Sequence, residues 1–281
     1  MKTSSVLLLT DILPHRRKLI GKVIKSKVFK KHSQSQVFAR LKKAGVEGIE
    51  LHLPDYGKTP LIAVEEARQV LVKNDMPVFS VHQSLHILSK TKLPEITKLF
   101  RIADMVGAKI IVLHITSAGK QIFDKEYIAT LKSLEKQYGV QIGFENHEKN
   151  PFSRFYKHAW DEEKFPASMA KAGFNMTLDT THLAQAGGNI IAFFKKHKDR
   201  IINIHLSDFR PHKFSGVRLF RYKHMPLGKG ALPITEFLKT LMQENYDGII
   251  TMEIHADLKG ICESARIITS LTEEKEQVAL G

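Results

Sequence analysis

The sequence predicts an α/β fold, a single (β/α)8 barrel of parallel strands spanning residues 1–281 as one domain. Three observations predict it. Short β-branched apolar runs alternate with longer amphipathic segments, the pattern of repeated βα units. Eight such runs are present, enough to close a barrel. Six of them end on a residue able to bind a divalent cation: PVFSVH at His82, KIIVLH at His114, VQIGFE at Glu145, FNMTLD at Asp179, RIINIH at His205 and GIITME at Glu253. In a parallel barrel every strand points the same way, so its last residue opens at the end where the active sites of this fold lie. Six distant positions then converge on one pocket.

Taken in order, the strands are expected at 5–12, 47–53, 77–82, 109–114, 140–145, 174–179, 201–206 and 247–254. Helices are expected between them at 33–44, 61–73, 93–106, 124–138, 161–172, 188–198, 233–244 and 259–274. LPEITKLFRIADMVGA has the clearest apolar spacing of three to four residues. Gly45, Gly107, Gly139 and Gly173 each fall just before a strand, where glycine stops a helix. An open doubly wound sheet that binds a dinucleotide carries a Gly-rich turn after its first strand. LPHRRKLIGK stands there instead, and no GxGxxG or P-loop pattern occurs elsewhere.

Composition narrows the setting. The apolar stretch from Val6 to Leu9 is far too short to span a bilayer and is followed by basic residues rather than a small-residue cleavage site. Neither a membrane partner nor export is expected. Cys262, the single cysteine, cannot form an internal disulfide, which fits a cytoplasmic location. No linker or low-complexity tract divides the chain.

Three carboxylates, Glu145, Asp179 and Glu253, with one imidazole, His205, form an oxygen-rich ligand set. It suits Mn, Mg, Co or Zn in an open coordination sphere. Glu50 and His52 lie two apart on the second strand and share a face. They read as a buried polar pair or a substrate contact.

GFENH, LDTTH, NIHLSD, TMEIH and HMPLGKG resemble the xylose isomerase-like TIM barrel superfamily, over most of the chain from Gly45 to about residue 256. That superfamily contains sugar and sugar-phosphate isomerases and epimerases, related dehydratases, and apurinic-site nucleases of the endonuclease IV type. The resemblance places metal ligation on Glu145, Asp179, His205 and Glu253. It gives His82 and His114, together with Glu145, either a second metal or substrate contacts, and His182 and His224 also match nuclease metal positions. His182 and Arg210 are implied substrate contacts. His147 matches an extra base that dehydratases carry two residues after the Glu. Where the nuclease pattern has an Asp two residues before the last His, this chain has Tyr222. SVLLLTDILP lacks the nuclease first loop, and GVEGIELHL reads like the second strand of the sugar isomerases.

The formal charge of +14 is uneven. Between His15 and His32 stand eight Lys or Arg and no acid, and FRPHKFSGVRLFRYKH, 209–224, carries five more. On a barrel both stretches are βα loops, giving the mouth a positive potential suited to a phosphorylated sugar or, less in keeping with the departures above, to nucleic acid. Phe209, Phe214, Phe220 and Tyr222 could stack on rings or pack the loop down. The expected activity is metal-dependent isomerisation or epimerisation of a sugar or sugar phosphate, with Glu145 and Glu253 exchanging a proton through a metal-stabilised enediolate. An apurinic-site phosphodiesterase or a dehydratase or lyase of the same superfamily is the alternative. The oligomeric state is left open.

Overall fold

The computed structural model describes residues 1–13, 32–53, 57–83, 93–115, 122–149, 157–211 and 223–280. Its centre is a closed barrel of eight parallel strands in sequential order: β1 (Lys2–Leu8), β2 (Gly48–Leu53), β3 (Val78–Gln83), β4 (Ile110–His114), β5 (Gln141–Glu145), β6 (Asn175–Asp179), β7 (Ile201–Leu206) and β8 (Ile249–Met252). The ring closes where β1 pairs with β8, Ser4 opposite Thr251. Around it run α1 (Leu9–Ile12), α2 (Gln34–Lys43), α3 (Leu61–Lys73), α4 (Leu93–Val106), α5 (Lys125–Tyr138), α6 (Lys157–Trp160), α7 (Lys164–Ala172), α8 (Thr180–Ala186), α9 (Ile190–His197), α10 (Ile234–Gln243) and α11 (Leu258–Leu280). Among the described residues no helix is long and apolar enough to cross a membrane.

Local chemistry explains the boundaries. Ser33 and Gln36 form a reciprocal capping box that starts α2. Asp124 accepts the Tyr127 N–H at 3.0 Å to start α5, which stops at Gly139 with φ 61°. A side chain at that φ is strained, so glycine is favoured there.

Three expectations need correction. The first strand is Lys2–Leu8 rather than 5–12, and its expected second half is helix α1. A continuous apolar run does not distinguish the two by periodicity, and pairing of Ser4 to Leu8 with Gly48 to His52 sets the strand's extent. The helix expected at 161–172 is α7 and starts only at Lys164, with the unexpected single turn α6 before it, because Asp161 lies outside both and accepts the N–H groups of Glu163 and Lys164, both at 3.1 Å, where α7 begins. Helix α8 was not expected at all.

Strand residues alternate between two environments, as the period of two demands. One set, including Ile49, Leu51, Val81, Ile111, Phe144 and Ile204, is buried in the apolar layer between sheet and helices. There α4 packs on β3 and β4, α7 on β6, and α11 on β1 and β8. Fully burying one such side chain stabilises by roughly 1.5–3 kcal/mol. The alternate set is mostly polar, with Val112 an apolar exception, and faces the lumen. Glu50 of β2 meets Asn203 and His205 of β7 across it, both at 3.2 Å.

Candidate metal centre

Each potential ligand lies at the end of its strand or directly after it. Glu145 and Asp179 end β5 and β6, His205 is next to last in β7, and Glu253 follows β8 directly. The structure brings Glu145, Asp179, His205 and Glu253 together, with one ligand atom from each within 4.8 Å of all the others. The same spacing holds for three overlapping groups: His82–His114–Glu145, Asp179–His182–His224 and Glu50–His82–His205.

Local bonds aim these side chains. Asp179 caps α8 through Oδ1, which accepts the His182 N–H at 2.7 Å, and so leaves Oδ2 for the lumen. Asn146 clamps the backbone of Asp179 from both sides, taking its N–H at 2.7 Å and donating to its carbonyl at 3.1 Å. His205 Nδ1 stands 2.9 Å from Glu253 Oε2 and 3.7 Å from Glu145 Oε1. His82 Nε2 stands 3.2 Å from Glu145 Oε2, and His114 Nδ1 3.3 Å from that same oxygen. His182 Nδ1 is 3.1 Å from Glu145 Oε1.

Four carboxylates, those of Glu50, Glu145, Asp179 and Glu253, gathered in the barrel interior need compensating charge. Burial works against ionisation of Glu145, yet His114 and His205 hold it well below the usual carboxylate range. Glu253 is also held well below that range, against burial, by His224 and His205. Burial pushes Asp179 up. Among the imidazoles, burial opposes protonation of His82 and His182, but Glu145 and Glu50 bring the first, and Asp179 and Glu145 the second, up to about 10. His205 is raised well above its ordinary value against the same burial, by Glu50 and Glu145. His114 goes the other way, pushed down to about 3 by burial, and lies 3.2 Å from His82 through the paired Nε2 atoms. Protonated histidines thus balance the carboxylates where a cation could.

The donor set fits a divalent cation. Both oxygens of Glu145, Asp179 Oδ2, Glu253 Oε2 and His205 Nδ1 are buried, and none is in hydrogen-bond geometry with another described group. Buried polar atoms are nearly always satisfied, so five such atoms in one place point to an ion that takes their lone pairs.

The remaining sequence candidates fall around this cluster. His147 is buried and stacks on His182, ring centroids 5.7 Å apart. His224, at φ 48°, places Nδ1 3.3 Å from Ser207 Oγ and 4.0 Å from Asp179 Oδ2. Arg210 lies apart, exposed, its guanidinium donating to the Lys229 carbonyl at 2.8 Å. Phe209 is buried against the fold. Tyr222, Phe214, Phe220 and most of the two basic stretches lie outside the described residues.

Two contributors were missed or undervalued. Asp208 organises the HMPLGKG turn by accepting from Gly230 N at 2.7 Å and Leu232 N at 3.0 Å. A Cβ on Gly230 would sit 2.1 Å from Asp208 Oδ1, so that turn requires glycine. Glu50 is fully buried at the base of the cluster. Burial opposes its charge, but His205 and His82 hold its carboxyl far below the usual range. The alternation in GIELHL was the available signal.

Known proteins agree with this architecture. Residues 38–271 match the family described as xylose isomerase-like TIM barrel. An uncharacterized protein of Mycobacterium leprae is 21% identical over 234 residues, which cover 75% of this chain and 80% of that protein. An inosose dehydratase of Clostridium botulinum is 29% identical over 91 residues, 29% of this chain and 30% of that one. Among solved structures, a D-tagatose 3-epimerase-like protein superposes with TM-score 0.66 at 16% identity, covering 99% of this chain and 100% of its own. The IolI protein, solved with a zinc atom bound, gives TM-score 0.62 at 13% identity over 98% of this chain and 97% of its own. The chain belongs to the xylose isomerase-like TIM barrel family.

Proposed function

We propose that the protein is a divalent-metal-dependent isomerase or epimerase acting on a sugar or sugar phosphate, with Glu145, Asp179, His205 and Glu253 as the ligands of its ion. The observation that carries this reading is the convergence of their buried, hydrogen-bond-deficient atoms at one point of the lumen. A cation held there would polarise a substrate carbonyl and acidify the neighbouring C–H.

Glu145 and Glu253 then serve as the proton-transfer pair. Both are held ionised, so either can take a proton from carbon, and they reach the pocket from different strands. One removes hydrogen and the other returns it. Asp179 and His205 keep position, the first through its cap on α8 and its Asn146 clamp. His182, at the rim of the cluster, is placed to hold a substrate hydroxyl. Epimerase and dehydratase names among similar proteins support a small sugar or a related polyol ketone as substrate.

The test is solvent-deuterium incorporation into a panel of ketoses and ketose phosphates, run with the metal-loaded enzyme. Deuterium should enter the carbon next to the carbonyl, and Glu253→Gln should abolish the exchange while metal remains bound. Full exchange in that variant removes Glu253 from the chemistry.

A second reading, dehydration of a keto-polyol, is favoured by His147, two residues beyond Glu145, which stacks on His182. It requires loss of water from the product and dependence on His147. His147→Gln should leave exchange intact if the first reading holds and stop turnover if the second does.

A further inference from the structure

The geometry points to Glu50 as a positioning residue that fixes the imidazole of His205 so that Nδ1, and not Nε2, faces the carboxylate cluster. It rests on the metal-site reading above and extends it to a residue outside the ligand set.

Glu50 is an acceptor whose environment leaves little choice of geometry. Its Oε2 takes the Ser80 hydroxyl at 2.7 Å and the Asn203 amide N–H at 3.2 Å. Asn203 is itself oriented, because its Oδ1 accepts from Thr251 Oγ1 at 2.9 Å, and Thr251 shares a 2.8 Å bond with Ser4 Oγ. With that amide pinned, the face it presents to Glu50 can only donate. His205 Nε2 completes the group, 3.2 Å from Oε2 and 3.1 Å from Oε1. A carboxylate held by donors accepts one more hydrogen, so Nε2 carries a proton. In a neutral imidazole the lone pair is then on Nδ1, the atom that faces Glu253 and Glu145.

The same carboxylate acts on a second ring. His82 Nδ1 approaches Glu50 Oε1 to 3.2 Å, while its Nε2 faces Glu145 and His114. The flat side of His82 rests on His52, centroids 4.8 Å apart and 21° from parallel, which holds its plane. Glu50 thus stands behind two imidazoles that present opposite nitrogens to the cluster, hydrogen-bonded to His205 and within ion-pair distance of His82. Carboxylates that hold ligating histidines from behind typically contribute ten- to a hundred-fold in metal affinity.

Two measurements on the full chain test this. In 15N-histidine spectra of zinc-loaded wild-type protein, His205 should show a protonated Nε2 and a metal-bound Nδ1; a protonated Nδ1 overturns the inference. This needs no variant, so it decides the matter even where Glu50→Gln fails to fold. In folded Glu50→Gln, Co(II) titration should show affinity lowered about ten- to a hundred-fold with the number of ions unchanged. Unchanged affinity overturns the proposal, and so does loss of one whole ion, which would make Glu50 a ligand. Wild-type protein that takes up no metal overturns the metal-site reading itself and is distinguishable from either result.

Discussion

The two faces of the barrel strands divide the work of the molecule. Outward residues such as Leu51, Ile111, Phe144 and Ile204 are apolar and seal the sheet to its helices. Inward residues of the same strands, Glu50, His82, Glu145, Asn203 and His205, are polar or charged and buried just as deeply. Barrels of this type usually fill the lumen with layers of branched aliphatic side chains. Here Ser4, Thr251, Asn203, Glu50 and Ser80 form a continuous hydrogen-bonded chain through it instead. The difference teaches where stability and chemistry reside. The outer layer gains from burial, whereas the lumen carries buried acceptors outside hydrogen-bond geometry that detract from stability and that the proposed cation would satisfy.

The division is broken most sharply by removing lumen ligands. Asp179→Ala combined with His205→Ala should abolish stoichiometric metal binding by elemental analysis of the purified protein, while far-UV circular dichroism keeps the wild-type helix and strand signal. Unchanged metal content would dissolve the proposed centre.

An outer-face change should do the reverse. Phe144 is 1% exposed and its ring meets Phe174 edge-on at 5.2 Å, 71° apart. Phe144→Ala should cost about 3–5 kcal/mol in urea unfolding. Metal stoichiometry of the folded fraction should stay at the wild-type value; if it falls in parallel with stability, the two faces are not separable.

Chelation comes next in size. An ion supplied at a hundred times its dissociation constant stabilises by about 2.7 kcal/mol, so its removal should lower the melting temperature correspondingly. The metal-free protein should also show its own pH signature. Glu145 and Glu50 raise His82, and Asp179 and Glu145 raise His182, from 6.5 to about 10 in the fold, despite burial. A raised pKa stabilises fully below the unfolded value and loses that contribution as pH rises through the folded one. Stability without metal should therefore decline between pH 6.5 and about 10. With metal bound the decline should shrink; equal slopes in a thermal-melt series would separate these histidines from the ion.

The smallest effect expected is at Thr251. Thr251→Val keeps the shape and removes the hydroxyl that joins Ser4 to Asn203, at a cost of about 1 kcal/mol by denaturant titration. A loss as large as that of Phe144→Ala would mean that the polar chain, not the outer layer, holds the barrel.

The sequence by itself determined the eight βα units and the strand-end positions of the candidate ligands. Both depend on short-range patterns. A period of two in IIVLH or NMTLD decides which side chains share a face, and a capping box or a glycine with positive φ ends a helix within a few residues. Where the local pattern was ambiguous, the tertiary structure decided. The run after Ser5 could be strand or helix until β2 and β8 set how far β1 pairs. Helix α8 was hidden because Asp179 looked like a ligand alone, whereas one of its oxygens caps that helix and the other points to the lumen. The role of Glu50 was the least legible. Its partner His205 lies 155 residues away, and only closure of the barrel brings β2 and β7 to face each other across one cavity. A residue's own neighbours in sequence decide which way it points. What it meets there depends on the opposite wall, which forms only when the ring is complete.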